Sequence, residues 1–124
     1  MMVEIKTNKA PAALGPYSQA LINGNMVFIS GQIPVNPADG SIPDTIEAQT
    51  EQSISNIKNI LAECELDISN VIKTSVFLSD LNDFAAMNEV YGKHFKSPFP
   101  ARSCVQVAAI PKGCKVEIEC IAIK

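Results

Sequence analysis

Apolar residues recur along this chain with two different periods. Tyr17 to Ile22 and Met26 to Ser30 are short apolar runs on either side of Asn23-Gly24-Asn25. Asn-Gly between such runs predicts a β-hairpin, because both residues accept φ > 0. From Thr45 to Cys64 the period lengthens: Ile46, Ile54, Ile57, Leu61 and Cys64 share a helical face, and Asp44 with Glu47 makes an aspartate version of the capping box. A long amphipathic helix is expected there. Asn70 to Leu78 is rich in β-branched residues and predicts a strand, after which Phe84, Met87, Tyr91 and Phe95 return to helical spacing. Ser103 to Ile110 and Cys114 to Ile123 read as two strands around Pro111-Lys112-Gly113, and Lys96 to Pro100 is the one loop-rich segment. With a short strand near Val3 to Lys6, the predicted order is β-β-β-α-β-α-β-β.

That order implies an α+β protein with a single mixed six-stranded sheet and two helices on one face. Val105, Val107 and Ala109 would point to one side of the sheet and Cys104, Ala108 and Ile110 to the other, so neither side is cleanly polar. A sheet apolar on both faces but covered by helices on one predicts self-association.

Composition narrows the class. At 124 residues, one domain over 1–124 is expected, and 47% hydrophobic with 19% charged residues describes a folded chain. A formal charge of −3 with dispersed lysines offers no face for phosphates, so nucleic acid is an unlikely partner. No run approaches the roughly 18 apolar residues of a membrane span. Met1 to Thr7 carries no signal-peptide core, so no membrane is expected as a partner and a cytoplasmic location is. Cys64, Cys104, Cys114 and Cys120 form no zinc-type grouping, and His94 is the sole histidine. Reduced core cysteines, an ordinary helix-end histidine and no metal are expected.

Two charges stand in strand-like, apolar surroundings: Arg102 in Phe99 to Cys104, and Glu117 in Lys115 to Glu119. Pro98 and Pro100 stiffen the approach to Arg102, which opens a strand. A planar, permanently charged guanidinium there anchors either a small acid or an intramolecular salt bridge. Cys104 shares its face by the two-residue period, but no histidine or lysine cluster lies beside it in sequence to make its thiol a nucleophile. If the last two strands pair as a hairpin, Glu117 lies opposite a residue near Ala108, roughly 20 Å along the strand from Arg102. A site using both would then draw them from different copies of the chain; strands separated within the sheet would change that geometry.

Several blocks of the chain are distinctive together: Ala10 to Ala20 (APAALGPYSQA), Phe28 to Gln32 (FISGQ), Asp83 to Asn88 (DFAAMN), Pro100 to Cys104 (PARSC), Pro111-Lys112-Gly113 and Val116 to Glu119. In these the chain resembles, over essentially its whole length, the reactive-intermediate deaminase family, RidA, formerly YjgF and also labelled L-PSP endoribonuclease or translation inhibitor. The resemblance implies a chorismate-mutase-like protomer and a homotrimer with clefts between neighbouring subunits. It implies hydrolysis of 2-imino acids and their enamine tautomers, such as 2-aminoacrylate, to 2-keto acids and ammonia, as by a 2-iminobutanoate/2-iminopropanoate deaminase. No cofactor or metal is implied. On this pattern Arg102 binds the substrate carboxylate and Glu117 orients or activates water, with Glu119 a bystander. Tyr17, Ser30 and Gly31 match cleft positions. Asn88 presents its amide to the cleft or satisfies the neighbouring loop, and the Cys104 carbonyl meets the substrate nitrogen. Two places depart from the pattern. Cys64-Glu65 stands where a small residue and glycine are usual, and Ser41 to Thr45 lacks a glycine before the helix. The competing functions are a keto-acid-binding regulator without turnover, an endoribonuclease or translation inhibitor, and a holdase-like chaperone.

Overall fold

The computed structural model describes residues 2–124. Six strands, β1 (Met2–Ile5), β2 (Ala20–Asn23), β3 (Met26–Gln32), β4 (Val71–Leu78), β5 (Ala101–Gln106) and β6 (Val116–Ile123), form one sheet in the order β1-β2-β3-β6-β4-β5. Two helices, α1 (Ile46–Glu63) and α2 (Phe84–His94), complete the predicted order of elements. Neighbouring strands are antiparallel except β4 and β5, which are parallel because α2 carries the chain from the end of one to the start of the other. The hairpin forms where Asn-Gly predicted it. Its two-residue turn is Gly24-Asn25, with Gly24 at φ 64°, a left-handed conformation that suits glycine in the first turn position.

One face of the sheet is buried against the helices. Val27, Ile29, Val76, Ile118 and Ala122 point into it and meet Ile54, Ile57 and Leu61 of α1, all nearly inaccessible to solvent. Each of these valine, isoleucine and leucine side chains contributes about 1.5–3 kcal/mol by leaving water. Asn56 is also buried, and its amide donates to the carbonyls of Ile33 (3.2 Å) and Val35 (3.0 Å), which ties the loop after β3 to α1. That loop, residues 33–45, and the longer one over residues 6–19 are a departure from the sequence reading, in which Lys96 to Pro100 alone looked loop-rich.

The last two strands do not pair. β4 lies between them. β6 buries Val116, Ile118, Cys120 and Ala122, which demands a central position, whereas β5 exposes Ala101, Ser103 and Gln106 and suits an edge. β5 also starts and ends earlier than expected, at Ala101 and Gln106 rather than Ser103 and Ile110. Arg102 is therefore its second residue. Tyr17 falls outside the first hairpin strand, in the bend that leads to β2.

The ends of α1 show two local effects. Thr45, not Asp44, is the N-cap: its hydroxyl accepts from the Ala48 backbone N–H at 3.1 Å, which satisfies an orphan donor of the first turn. At the other end Glu65 takes φ 61°, the Leu66 N–H donates to the Leu61 carbonyl and the Glu65 N–H to that of Ala62. This is the Schellman closure, in which the left-handed position favours glycine. Glu65→Gly is expected to stabilise the protein by about 1 kcal/mol, read as a higher denaturant midpoint at unchanged slope. A lower midpoint would show that the Glu65 side chain outweighs its backbone conformation.

Among the described residues, no helix is long and apolar enough to cross a membrane. The helix-free face of the sheet carries Leu21, Phe28 and Ile121 in one row and Phe77 and Val105 in another. In the single chain Phe28 and Val105 remain 41% and 47% exposed.

Candidate active site

Arg102 is set by the β4–β5 register. It lies beside Thr74, which is buried on the helix side of the sheet, so the arginine projects to that side and over α2. There its Nη1 donates to Asn88 Oδ1 at 2.6 Å, and Cζ sits 4.8 Å from the Tyr91 ring centroid and 5.6 Å from that of Phe84. Phe84, Asn88 and Tyr91 share a helix face by their spacing of four and three. The ion pairs among the described residues are Lys6 with Glu4 and His94 with Glu51, so the salt-bridge alternative for Arg102 is not what the structure contains. The guanidinium borders a cavity of about 370 Å³ lined by Asn88, Tyr91, Gly92, Phe99, Pro100 and Arg102. Cys104, two residues on, has its thiol pKa raised by burial, against the opposing pull of Arg102. It stays a thiol, in keeping with a structural rather than nucleophilic side chain.

A second group gathers on the helix-free face. Glu117 lies opposite Phe77 in the sheet and reaches across to β3, where a bulge interrupts the pairing between Ile29 and Gln32. A Cβ placed on Gly31 would lie 2.2 Å from Glu117 Oε2, so residue 31 must be glycine for the carboxylate to rest against the backbone. Burial raises the Glu117 pKa above the usual carboxylate range, and the neighbouring Glu119 charge adds to the rise. Ser30, in the same bulge, donates its hydroxyl to the Ser18 carbonyl at 2.6 Å, which leaves its lone pairs free to accept. Tyr17 stands half-exposed at the rim of a cleft of about 690 Å³ whose lining includes Ser30, Leu21, Phe28 and Glu119.

The loop carrying Tyr17 is held by Gln19, a residue the sequence reading did not single out. Buried, it donates to the carbonyls of Pro11 (2.8 Å) and Thr7 (3.1 Å) and accepts from the Thr7 N–H (2.8 Å). In the sequence Tyr91 and Phe84 stand only as apolar positions of the second helix. The signal available was Asn88, an amide amid that apolar face. His94 belongs to neither group: its ring bonds Glu51 and, at 2.7 Å, Lys58 on the outer side of the helices. All four cysteines are free thiols.

The two groups are thus divided by the sheet itself. Arg102, Asn88 and Cys104 occupy the helix side at the β5 edge; Tyr17, Ser30, Gly31 and Glu117 occupy the other. From Glu117 through Phe77 to Val105 is two strand spacings, and Val105 is three residues from Arg102, which gives a backbone separation of about 14 Å. The sequence estimate of 20 Å is shortened by the true strand order, but the opposite facing separates the pair more decisively. One small acid cannot touch both within one chain.

The chain is similar to proteins of known sequence and structure throughout. The family model described as Endoribonuclease L-PSP matches residues 7–124, and the chain belongs to that family, the one that also carries the RidA and YjgF labels. It is 53% identical to a RutC family protein of Pasteurella multocida over 97% of this chain and 96% of that one. It is 49% identical to the 2-iminobutanoate/2-iminopropanoate deaminase of Escherichia coli K12, covering 100% and 99%. The crystal structure of E. coli TdcF with bound serine superposes with a TM-score of 0.93 at 48% identity, covering 98% of each chain.

Proposed function

We propose that this protein is a 2-imino acid deaminase, converting 2-iminobutanoate, 2-iminopropanoate and their enamine tautomers to 2-keto acids and ammonia in the cytoplasm. It would act as a single-domain protomer within a homotrimer, with each cleft formed between neighbours. The observation that carries this reading is Arg102, a guanidinium that borders a cavity and has no carboxylate partner among the described residues. The deaminase names of relatives at about half identity support it.

In the proposed cleft, Arg102 of one subunit takes the substrate carboxylate through parallel N–H donors. Tyr17, Ser30, Gly31 and Glu117 of the next subunit close over the C=N group. Asn88 has given its oxygen to Arg102, so its remaining contribution is the amide N–H₂. Glu117 holds a water and accepts its proton as the oxygen adds to C2, forming a tetrahedral carbinolamine. The same carboxyl passes that proton to the nitrogen, then takes the carbinolamine hydroxyl proton and delivers it to the nitrogen as the C–N bond breaks, releasing ammonia and leaving the keto group. Ser30, its own proton engaged by the Ser18 carbonyl, accepts from the substrate nitrogen or the water, and the Cys104 carbonyl offers a second acceptor. The imine is already electrophilic, so positioning and one proton relay suffice without a cofactor.

The test couples a pyridoxal-dependent serine or threonine dehydratase to the protein and follows imine loss by semicarbazide trapping. Accelerated loss that disappears in Arg102→Ala supports the deaminase. No acceleration by a folded oligomer, with calorimetric binding of 2-ketobutyrate retained, would replace it with the regulator reading. RNase activity that co-purifies and depends on Arg102 would favour the nuclease.

Glu117 also predicts a pH effect. Attack on the imine needs its carboxylate form, so kcat/KM should fall on the acid side through a pKa raised by burial and by Glu119. Glu119→Gln removes the second of these causes. The acid limb should then move to lower pH, with the alkaline side unchanged. A limb that stays in place would mean that another group, such as the imine itself, sets it.

A further inference from the structure

Among the described residues Arg102 has no counter-charge, and the Tyr91 ring is one of the groups packed against its guanidinium. Three links close a ring around them. Thr74 on β4 is the register partner of Arg102 on β5. Thr74 Oγ1 and the Tyr91 hydroxyl are hydrogen-bonded at 2.8 Å in the core. The Tyr91 ring, in turn, lies under the guanidinium at 4.8 Å. Tyr91 is only 5% exposed, and Phe95 stacks on it with centroids 4.2 Å apart and planes 23° from parallel. The ring beneath the guanidinium is therefore fixed at its hydroxyl by the sheet and packed by Phe95 just past the end of α2.

This form of support has a chemical consequence. An arginine positioned by a carboxylate is already half-neutralised, and an incoming acid must compete with the resident one. A ring face and an amide oxygen orient the guanidinium while leaving its net charge, and four of its five N–H donors, for an anionic ligand. The phenol cannot act as a counter-charge either, since its pKa is raised, chiefly by burial, against the opposing effects of Thr74 and Arg102.

We propose that Tyr91 is a positioning residue for Arg102. Through the ring face it presents to the guanidinium it sets the orientation of Arg102, and so the affinity of the cleft for a substrate carboxylate. This rests on Arg102 being the carboxylate anchor, and extends that reading to the residue that makes the anchor effective.

Arg102 is the sole arginine of the chain, so its Nε–H gives one side-chain cross-peak in a ¹H–¹⁵N spectrum that needs no separate assignment. The experiment compares Tyr91→Phe, which keeps the ring and loses the hydroxyl, with Tyr91→Leu, which loses both. Cross-peak position, calorimetric Kd for 2-ketobutyrate, and KM and kcat for the imine are read in the folded oligomer. In Tyr91→Leu the cross-peak should lose its ring-current shift, and Kd and KM should rise about tenfold while kcat stays within about twofold. Tyr91→Phe should keep the shift and remain within about threefold of the parent on both constants. Should Tyr91→Leu fail to fold, Tyr91→Met carries the same comparison with a more adaptable side chain.

Unchanged Kd, KM and cross-peak in the ring-less variant would overturn the proposal and leave Tyr91 a core residue. A loss in Tyr91→Phe as large as that in Tyr91→Leu would also overturn it. Kd is measured without turnover, so a ring-dependent Kd in a protein that hydrolyses no imine would sustain this proposal while the deaminase reading falls. A parent protein that neither hydrolyses the imine nor binds the keto acid would remove both.

Discussion

Arg102→Ala is expected to lower kcat/KM for a 2-imino acid by about two to three powers of ten, because truncating one side of a desolvated, hydrogen-bonded charge pair costs about 3–4 kcal/mol. The same substitution should change folding stability by less than about 1 kcal/mol, since only contacts to Asn88 and two rings are lost and no buried carboxylate is stranded. A structural salt bridge would behave in the opposite way, with a stability loss of about 3–5 kcal/mol from the abandoned partner. Arg102→Lys should recover less than about tenfold of the activity, because an ammonium supplies a point charge but not two parallel donors. Steady-state kinetics set beside denaturant unfolding separate these outcomes. Large destabilisation with modest kinetic loss would return Arg102 to a structural role.

Element order was legible because periodicity is a local property. The isoleucines of α1 and the alternation of β6 report their own surroundings, and Asn23-Gly24 reports its own backbone. Strand order was not legible in the same way, since Ser103 to Ile110 and Cys114 to Ile123 look like hairpin partners until the burial of β6 is weighed against the exposed edge of β5. Capping shows a similar contest. Asp44 and Thr45 are both competent N-caps by residue type, and the structure starts the helix at Ile46 with Thr45 as its cap.

For the site, residue types carried the candidates and three-dimensional placement decided their grouping. Gly31 is a good example. Nothing local required glycine there, and the reason is a carboxylate 86 positions later lying against its backbone. Tyr91 and Gln19 were missed because a buried aromatic and a buried amide look like packing from sequence. Their roles emerge only from what they touch: a guanidinium in one case, three backbone groups of a loop in the other. Asn88 could not be assigned between cleft and loop from sequence, and its oxygen turns out to face Arg102.

Mixing Arg102→Ala and Glu117→Ala subunits, each inactive alone, is expected to restore about a quarter of parental activity in a cyclic trimer. The figure follows from the division of the site across the sheet, which leaves Arg102 and Glu117 of one chain on opposite faces. If each cleft takes Arg102 from one subunit and Glu117 from the next, every mixed trimer contains one intact cleft. Random assembly at equal amounts makes about three-quarters of the trimers mixed, so about one cleft in four is whole. The measurement is imine hydrolysis after co-refolding or subunit exchange, with mixed assemblies verified by mass. Adding both substitutions to one chain and mixing it with the parent should give about the same quarter, as chance occupancy of the two half-sites requires. No recovery in verified mixed oligomers would mean that Arg102 and Glu117 do not serve one cleft, and the proposed proton relay would then need a base on the helix side of the sheet.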